Sequence, residues 1–554
     1  MRPPEPGTPE PEVTAADETG SYLPQQDAAR RLRVLVTAAE AYPALERAFL
    51  EAETEIHGSF LVFDLSTRLR SDEARKIGRT WFDLVVHVLR RGVAIHFTIS
   101  DVDGIGRPVM HRAAWKSMRM FSAAAAVAGP GARLVVRAAR HPARTGLGIR
   151  MLIWPYVVKR LFGVARDLNR LPPELRRAAL RDMPDAERLM HFAPDGHVRP
   201  RIWHLPDLFP LTHHQKLAVI DRRILYIGGL DLDERRFDTP GHRQNADQTW
   251  HDVQVMIEGP VALAAQSHLE RFLTSVSDSD EDPPRPPFLR TLSRRRTFAP
   301  FRFGPARKTT EIAEAHHALI RRSRRLIYLE TQYFRDRKLA RALARQAAAE
   351  PDLELILIIP AAPEEVAFSR RPGSDSRLGE FLQARCLRIV RKAFGRRHLV
   401  LSPAQTRPAP ALPPLDEDED IGTDEHGIAE RASLKNAPIV YVHAKVSIFD
   451  DSAATVSSAN LNGRSLYWDT EAGVLLENRE DVTYLRDRVM RHWLPDDAEP
   501  EFLNPETLLA NWRRLAWSNA RLAPQDRRGF LLPHDFAAAE RFGLPLPIIP
   551  EEMV

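Results

Sequence analysis

The chain has 554 residues, of which 44% are hydrophobic and 28% charged, with a formal net charge of +5. That length exceeds one ordinary core and asks for two domains, and the composition excludes a disordered or fibrous chain. So small a charge excess does not by itself argue for nucleic acid, and the single cysteine, Cys386, excludes a disulfide framework and a cysteine-rich zinc site.

Residues 1–30 are rich in Pro, Glu and Ala without apolar period, as a disordered tail is. The opening Met1-Arg2-Pro3-Pro4-Glu5-Pro6 lacks the basic-then-apolar layout of a signal peptide. No run is long enough to cross a bilayer; the nearest apolar block, 151–158, contains Pro155. A cytoplasmic protein is expected, with peripheral membrane contact left open. From Leu32 the pattern is β/α: a buried strand at 55–63, an amphipathic helix at 75–91 and a strand at 93–99. Residues 277–287, reading SDSDEDPPRPP, signal a linker, after which the pattern restarts with a strand at 325–334, a helix at 338–349 and a strand at 353–359. Residues 405–425 are Pro-rich and then acidic, and read as a loop.

The order strand, helix, strand, connection is thus written twice. Each copy ends in H-x-K-x-x-x-x-D: His214, Lys216 and Asp221 in the first, His443, Lys445 and Asp450 in the second, 229 residues on. After each Asp six residues pass before a small pair, Gly228-Gly229 or Ser457-Ser458. Only 9 of the 79 basic residues are lysines, so two chance copies are expected in well under about one sequence in a thousand. In a strand, His and Lys two apart share a face, so each copy offers an imidazole beside an ammonium. Two such pairs facing each other would clamp a phosphate between two acid/base groups. The motif aspartates read as structural, bonding the two halves together. His213 points to the opposite face from Lys216, and His57 reads as a core histidine.

The predicted division is a tail at 1–30, a first domain at 31–280 with an insertion at about 104–204, a linker at 281–300, a second domain at 301–500 and an extension at 501–554. The fold class is α/β: two similar α/β/α sandwiches with mixed sheets, pseudo-twofold related, with one active site at the seam. The insertion carries arginines from Arg133 to Arg170 interleaved with Met151, Trp154, Tyr156 and Phe162. That is the form of a membrane-surface segment, and equally of a hairpin packed on its domain with a solvated basic face.

The flanking blocks, Ile227-Gly228-Gly229-Leu230-Asp231, Trp250-His251-Asp252 and Ser458-Ala459-Asn460-Leu461-Asn462, make the chain resemble the phospholipase D superfamily, and true phospholipases D in particular. Ser457 departs from the glycine usual there. The resemblance implies His214 as nucleophile and His443 as general acid, with which is which left open. Lys216, Lys445 and Asn460 would hold the phosphate oxygens, with Asp252 and Glu471 orienting the histidines and Gly229 and Ser458 supporting them. It implies no cofactor and no metal. The implied reaction is hydrolysis of glycerophospholipids to phosphatidic acid and a free head group through a phosphohistidine, with an alcohol able to replace water as acceptor. A cardiolipin synthase-like phosphatidyl transfer and a nucleic-acid phosphodiesterase using the same site are alternatives, and a silent scaffold ranks last. The expected partner is a phospholipid membrane surface rather than nucleic acid; oligomeric state is not legible.

Overall fold

Two mixed sheets carry the fold. The computed structural model describes residues 31–277, 286–296, 299–368, 373–410, 431–546 and 549–554. The expected tail at 1–30, residues 278–285 of the expected linker region and the 405–425 loop beyond residue 410 lie outside the described residues.

The first half supplies β1 (Leu32–Val36), β2 (Glu55–Phe60), β3 (Ala94–Ser100), β4 (Leu134–Ala139), β5 (Met190–Phe192), β6 (Val198–Pro200), β7 (Leu217–Ile220), β8 (Ile224–Gly228) and β9 (Val253–Glu258). The second half supplies β10 (Phe288–Arg294), β11 (Ala306–Thr310), β12 (Leu326–Thr331), β13 (Glu354–Ile358), β14 (His398–Pro403), β15 (Ser433–Leu434), β16 (Ala437–Pro438), β17 (Lys445–Phe449), β18 (Ala453–Ser457), β19 (Glu471–Leu476) and β20 (Leu531–Pro533). A seven-stranded sheet runs β1-β9-β8-β7-β2-β3-β4, and a nine-stranded one runs β11-β10-β19-β18-β17-β12-β13-β14-β20. Without its edge strands β11 and β20, the second sheet repeats the first strand for strand. The pairing sense repeats too: β2, β3 and β4 are parallel neighbours, as are β12, β13 and β14, and the corresponding remaining pairs are antiparallel.

Burial on both faces explains the continuous apolar runs of β7 and β8, and every residue of β17 and β18 is buried as well. Leu217, Val219, Ile227 and Val255 of the first sheet share one buried cluster with Val446, Ile448, Val456 and Val474 of the second. The two sheets therefore have a common core, which Trp493 and Trp512 from the helices Arg479–Trp493 and Leu508–Asn519 complete. On the other face of the second sheet, Ile327, Leu329, Leu355 and Leu357 pack on the helices Glu311–Arg322, Arg337–Ala349 and Ser374–Phe394. In the first half, Phe97 of β3 stacks against Phe60 and Phe121, the latter from the helix Pro108–Ala128.

Three expectations are corrected. The helix expected at 75–91 is two, Asp72–Arg75 and Trp81–Arg90, because Thr80 and Asp83 form a capping box that starts the second afresh. The insertion expected at 104–204 is in part sheet, since β4 is the edge strand beside β3. Its remainder has a small core of its own around Val157, Leu161, Val164 and Leu168. The linker expected at 281–300 contains β10, whose residues Phe288 to Thr291 pair with β19. The charged, Pro-rich signal ends at Pro287, and the buried run that follows is sheet. The extension at 501–554 is integral, adding Trp512 to the core and β20 to the sheet.

The motif aspartates bond within their own halves, not across them. Asp221 accepts from the main-chain N–H groups of Glu53, Thr54 and Glu55 at 2.8–3.0 Å, at the entry to β2. Asp450 accepts in the same way from Arg324, Arg325 and Leu326 at 2.8–3.0 Å, at the entry to β12. Both sit at positive φ, 51° and 53°, in the tight turns after β7 and β17. Asp tolerates that conformation better than residues lacking a short polar side chain. They lie a strand's length from the motif histidines and are not part of the site. Replacing Asp450→Ala removes the acceptor for three N–H groups and leaves a poorly suited residue at positive φ, and is expected to cost about 2 kcal/mol. Asp450→Asn is expected to cost less. Chemical denaturation of the two variants checks the order, and equal stability of Asp450→Ala and the parent would refute it.

Candidate active site

His214 and His443 stand just ahead of β7 and β17, not within them. Each lies in an extended segment that pairs across the seam. His214 N donates to Thr470 O at 2.8 Å and Thr470 N to Thr212 O at 3.0 Å. In the mirror arrangement, His251 N donates to Tyr441 O and His443 N to His251 O, each at 2.8 Å.

This crossing places each half's carboxylate behind the other half's histidine. Glu471 of the second half lies 3.0 Å from His214 Nδ1, and Asp252 of the first lies 2.6 Å from His443 Nδ1. Ser458 Oγ donates to Glu471 at 2.5 Å, and Val253 N donates to Asp252 at 3.0 Å. Gly229 holds the position equivalent to Ser458, and any Cβ there would meet Asp252 Oδ1 at 2.2 Å. The second member of each small pair is therefore fixed by the carboxylate beside it. Both Nδ1 atoms being engaged, Nε2 of each imidazole is the nitrogen left for a substrate.

Lys216 Nζ donates to His214 O at 2.7 Å and lies 3.5 Å from Asp231 Oδ2. Lys445 Nζ donates to His443 O and lies 3.0 Å from His443 Nδ1. Each motif thus sets its ammonium beside its own histidine, through the main chain and not through a shared strand face. Asn460 is buried and its side-chain Oδ1 has no protein partner, so one end of its amide is open to a ligand, whichever way round the amide lies.

Sequence reasoning did not single out Asp231 or Arg236. Asp231 follows His214 by 17 residues, as Asn460 follows His443, so the motif offset could have found it. Its Oδ1 accepts from Val62 N at 2.9 Å. Arg236 lies 3.9 Å from Asp231, 2.7 Å from Asp233 and 5.1 Å over the Trp250 ring, which itself lies 4.6 Å from the His443 ring. Nothing local marked Arg236 in a chain so rich in arginine. His213 and His57 keep structural roles. His213 Nδ1 is 2.8 Å from Thr470 Oγ1, and His57 stacks on His96 at 4.4 Å.

Burial governs the electrostatics. It pulls both motif histidines well below their ordinary pKa, helped by Lys216 at His214 and by Lys445 at His443, so each is a neutral imidazole in the free site. It also pulls Lys445 down to about 7 against the pull of Asp252, and raises Asp252 to about 6 and Glu471 to about 7. Lys216, Lys445 and Arg236 gather beside the two imidazoles, and an anion bound among them would restore the charge of Lys445. Two neutral imidazoles flanking an anion are suited to nucleophilic attack and proton transfer.

The family profile described as cardiolipin synthase, PLD-like domain, matches residues 317–493. Phospholipase D alpha 1 of Nicotiana tabacum is 23% identical, over 46% of this chain and 44% of that protein. Phospholipase D zeta 1 of Arabidopsis thaliana is 56% identical over a stretch of 45 residues, 8% of this chain and 4% of that one. Residues 317–493 are thus similar to a phospholipase D-like domain. The chain spans less than half the length of the phospholipase D alpha 1 proteins that it matches. Among solved structures, phosphatidylserine synthase from Haemophilus influenzae Rd KW20 aligns over 90% of this chain and 95% of that one, at 12% identity and a TM-score of 0.45. Members of the phospholipase D superfamily are phosphodiesterases and phosphatidyl transferases, which is the class of chemistry that two imidazoles around an anion site suit.

The state of Lys445 gives the site a pH signature. The ammonium is charged below about 7 and neutral above it, and Glu471 gains negative charge over the same window. Affinity for tungstate, a phosphate mimic with constant charge here, is therefore expected to fall about tenfold per pH unit above 7 from the lysine alone. Calorimetric titration between pH 6 and 8 checks this, with Lys445→Met removing most of the slope. Constant affinity across that range would refute it.

Proposed function

We propose that the chain is a phospholipase D-type phosphodiesterase that cleaves glycerophospholipids to phosphatidic acid and a free head group, and that passes the phosphatidyl group to an alcohol when one is present. The observation that carries this reading is the reciprocal pair of carboxylate-held histidines with their lysines at one seam. The lysines, Asn460 and Arg236 would neutralise the non-bridging oxygens. His214 Nε2 then attacks phosphorus, forming a P–N bond as the P–O bond to the head group breaks. The departing oxygen takes its proton from His443 Nε2. The bound diester raises the proton affinity of His443, and Asp252 stabilises the imidazolium. In the second step water or an alcohol gives its proton back to His443 while its oxygen displaces His214 from phosphorus. The assignment of His214 as nucleophile follows the family pattern.

A second reading, phosphatidyl transfer as the physiological reaction, is favoured by the cardiolipin synthase description of the profile matching 317–493. Both readings use the same phosphohistidine and differ in which acceptor reaches it. Mixed phospholipid vesicles with and without a primary alcohol, analysed by mass spectrometry, separate them. Phosphatidic acid, replaced by the phosphatidyl alcohol when alcohol is added and absent with His214→Ala, is the expected result. Cardiolipin from phosphatidylglycerol alone would favour transfer, and no lipid turnover by folded protein would overturn both.

The lipid would be met at the insertion. There Met151, Leu152 and Tyr156 are each about 60% exposed beside arginines, and Trp203 is 95% exposed on the segment leading to His214. Among the described residues no helix is long and apolar enough to cross a membrane. The proposed contact is a peripheral one, with these side chains at the lipid boundary. Burying an apolar side chain is worth about 1.5–3 kcal/mol. Combined Leu152→Ser and Trp203→Ala substitutions are thus expected to weaken sedimentation with anionic vesicles more than about tenfold, and unchanged sedimentation would refute the contact.

A further inference from the structure

Three histidines outside both motifs converge behind the site. His242 lies in the segment between β8 and β9, His251 stands beside Asp252, and His492 is near the end of the helix Arg479–Trp493. One potential ligand nitrogen from each lies within 4.8 Å of the other two. His242 Nε2 and His492 Nε2 are 2.8 Å apart.

The far side of the cluster is what makes it a site. His242 Nδ1 lies 2.7 Å from Asp238 Oδ2, and His251 Nε2 is held by Glu330. Glu330 is fixed in turn by Tyr328 OH at 2.8 Å and Trp493 Nε1 at 3.3 Å. His242 therefore has a carboxylate on one nitrogen and the cluster on the other, and His251 has a carboxylate on Nε2, the kind of hold that sets tautomer and basicity in metal-bound histidines. His251 Nδ1 is the nitrogen left over. It is buried, belongs to a residue with no exposure, and has no hydrogen-bond partner. Trp493, whose ring is 4.2 Å from that of His251, and Phe530, 5.4 Å from His242, supply no acceptor in its place.

A network of hydrogen bonds alone would satisfy the His242–His492 pair and leave His251 Nδ1 orphaned, a cost of about 1–3 kcal/mol. A cation satisfies all three nitrogens at once. Three imidazoles without a thiolate suit a zinc-class ion at ~2.0–2.1 Å. Ligands at that distance around a tetrahedral ion stand about 3.3 Å apart, so the His242–His492 pair has to open by roughly half an ångström. Asp238 and Glu330 offset the charge.

We propose that His242, His251 and His492 bind a zinc-class divalent cation that joins the segment carrying Asp252 to the helix Arg479–Trp493. The ion is structural and takes no part in the reaction. It acts through His251, whose main chain pairs with Tyr441 and His443 and whose neighbour Asp252 orients His443.

The test uses the full chain, stripped with a chelator and reloaded with zinc or cobalt. About one equivalent of zinc is expected to survive dialysis, read by elemental mass spectrometry. Zinc at a hundredfold excess over its dissociation constant is expected to raise the melting temperature by about 2–3 °C. Cobalt is expected to give the visible bands of a nitrogen-ligated ion. His492→Ala, at the partly exposed ligand, and His251→Gln are each expected to lower retained metal at least tenfold. His57→Ala, in the separate Glu55, His57 and His96 group, is expected to leave it unchanged. Less than a tenth of an equivalent in the parent chain, with melting unmoved by metal or chelator, would overturn the proposal. So would retention by folded His492→Ala and His251→Gln, or loss with His57→Ala instead. If the ligand variants do not fold, the cobalt spectrum and melting shift of the parent chain decide alone.

Discussion

The exchange of carboxylates across the seam is the constraint on which the site depends. A histidine is useful only if one nitrogen is held, and in each half that hold comes from the other half: Glu471 behind His214, Asp252 behind His443. The main-chain bridges at Thr470 and His251 set the distances, and the common core under β7, β8, β17 and β18 sets the bridges. Neither half contains a motif histidine together with the carboxylate that holds it.

Reciprocity does not make the halves equal. Lys216 has Asp231 at 3.5 Å, whereas the position matching Asp231 in the second half is Asn460, a neutral amide. Lys445 draws its compensation from Asp252, which also has His443 to hold. The anion site is therefore lopsided, with its less compensated cation in the second half. The proposed two-step reaction, with a different task for each imidazole, calls for such an asymmetry, and the Asp231–Asn460 difference would supply it.

Much of this was legible because the information is local. The alternation of strand and helix, the doubled motif and the small pairs are written in short windows, and the repeat made two similar sheets the economical reading. What was missed is long-range or context-bound. The seam bonding expected of Asp221 and Asp450 could not be distinguished from bonding at their own strand entries, because hydrogen-bond partners over a hundred residues away leave no mark in a window. Residues 288–294 followed a strong linker signal, and their pairing with β19 lies nearly two hundred residues further on. Arg236 was hidden by its own abundance. In the insertion Val157 and Leu161 face inward and Tyr156 and Phe162 outward, and composition cannot divide an apolar set that has two destinations.

Gly229 shows what the crossing means for descent. Its missing Cβ leaves room for Asp252, which serves a histidine written nearly two hundred residues away in the other half. A single-copy ancestor with the same geometry would have been inert as a monomer, since its histidine and the carboxylate behind it would come from different subunits. Pairing of two identical copies would have completed two histidines at once, around one anion. Joining two such copies in one chain would release each from serving both roles, so that a carboxylate in one can be an amide in the other, as Asp231 and Asn460 are.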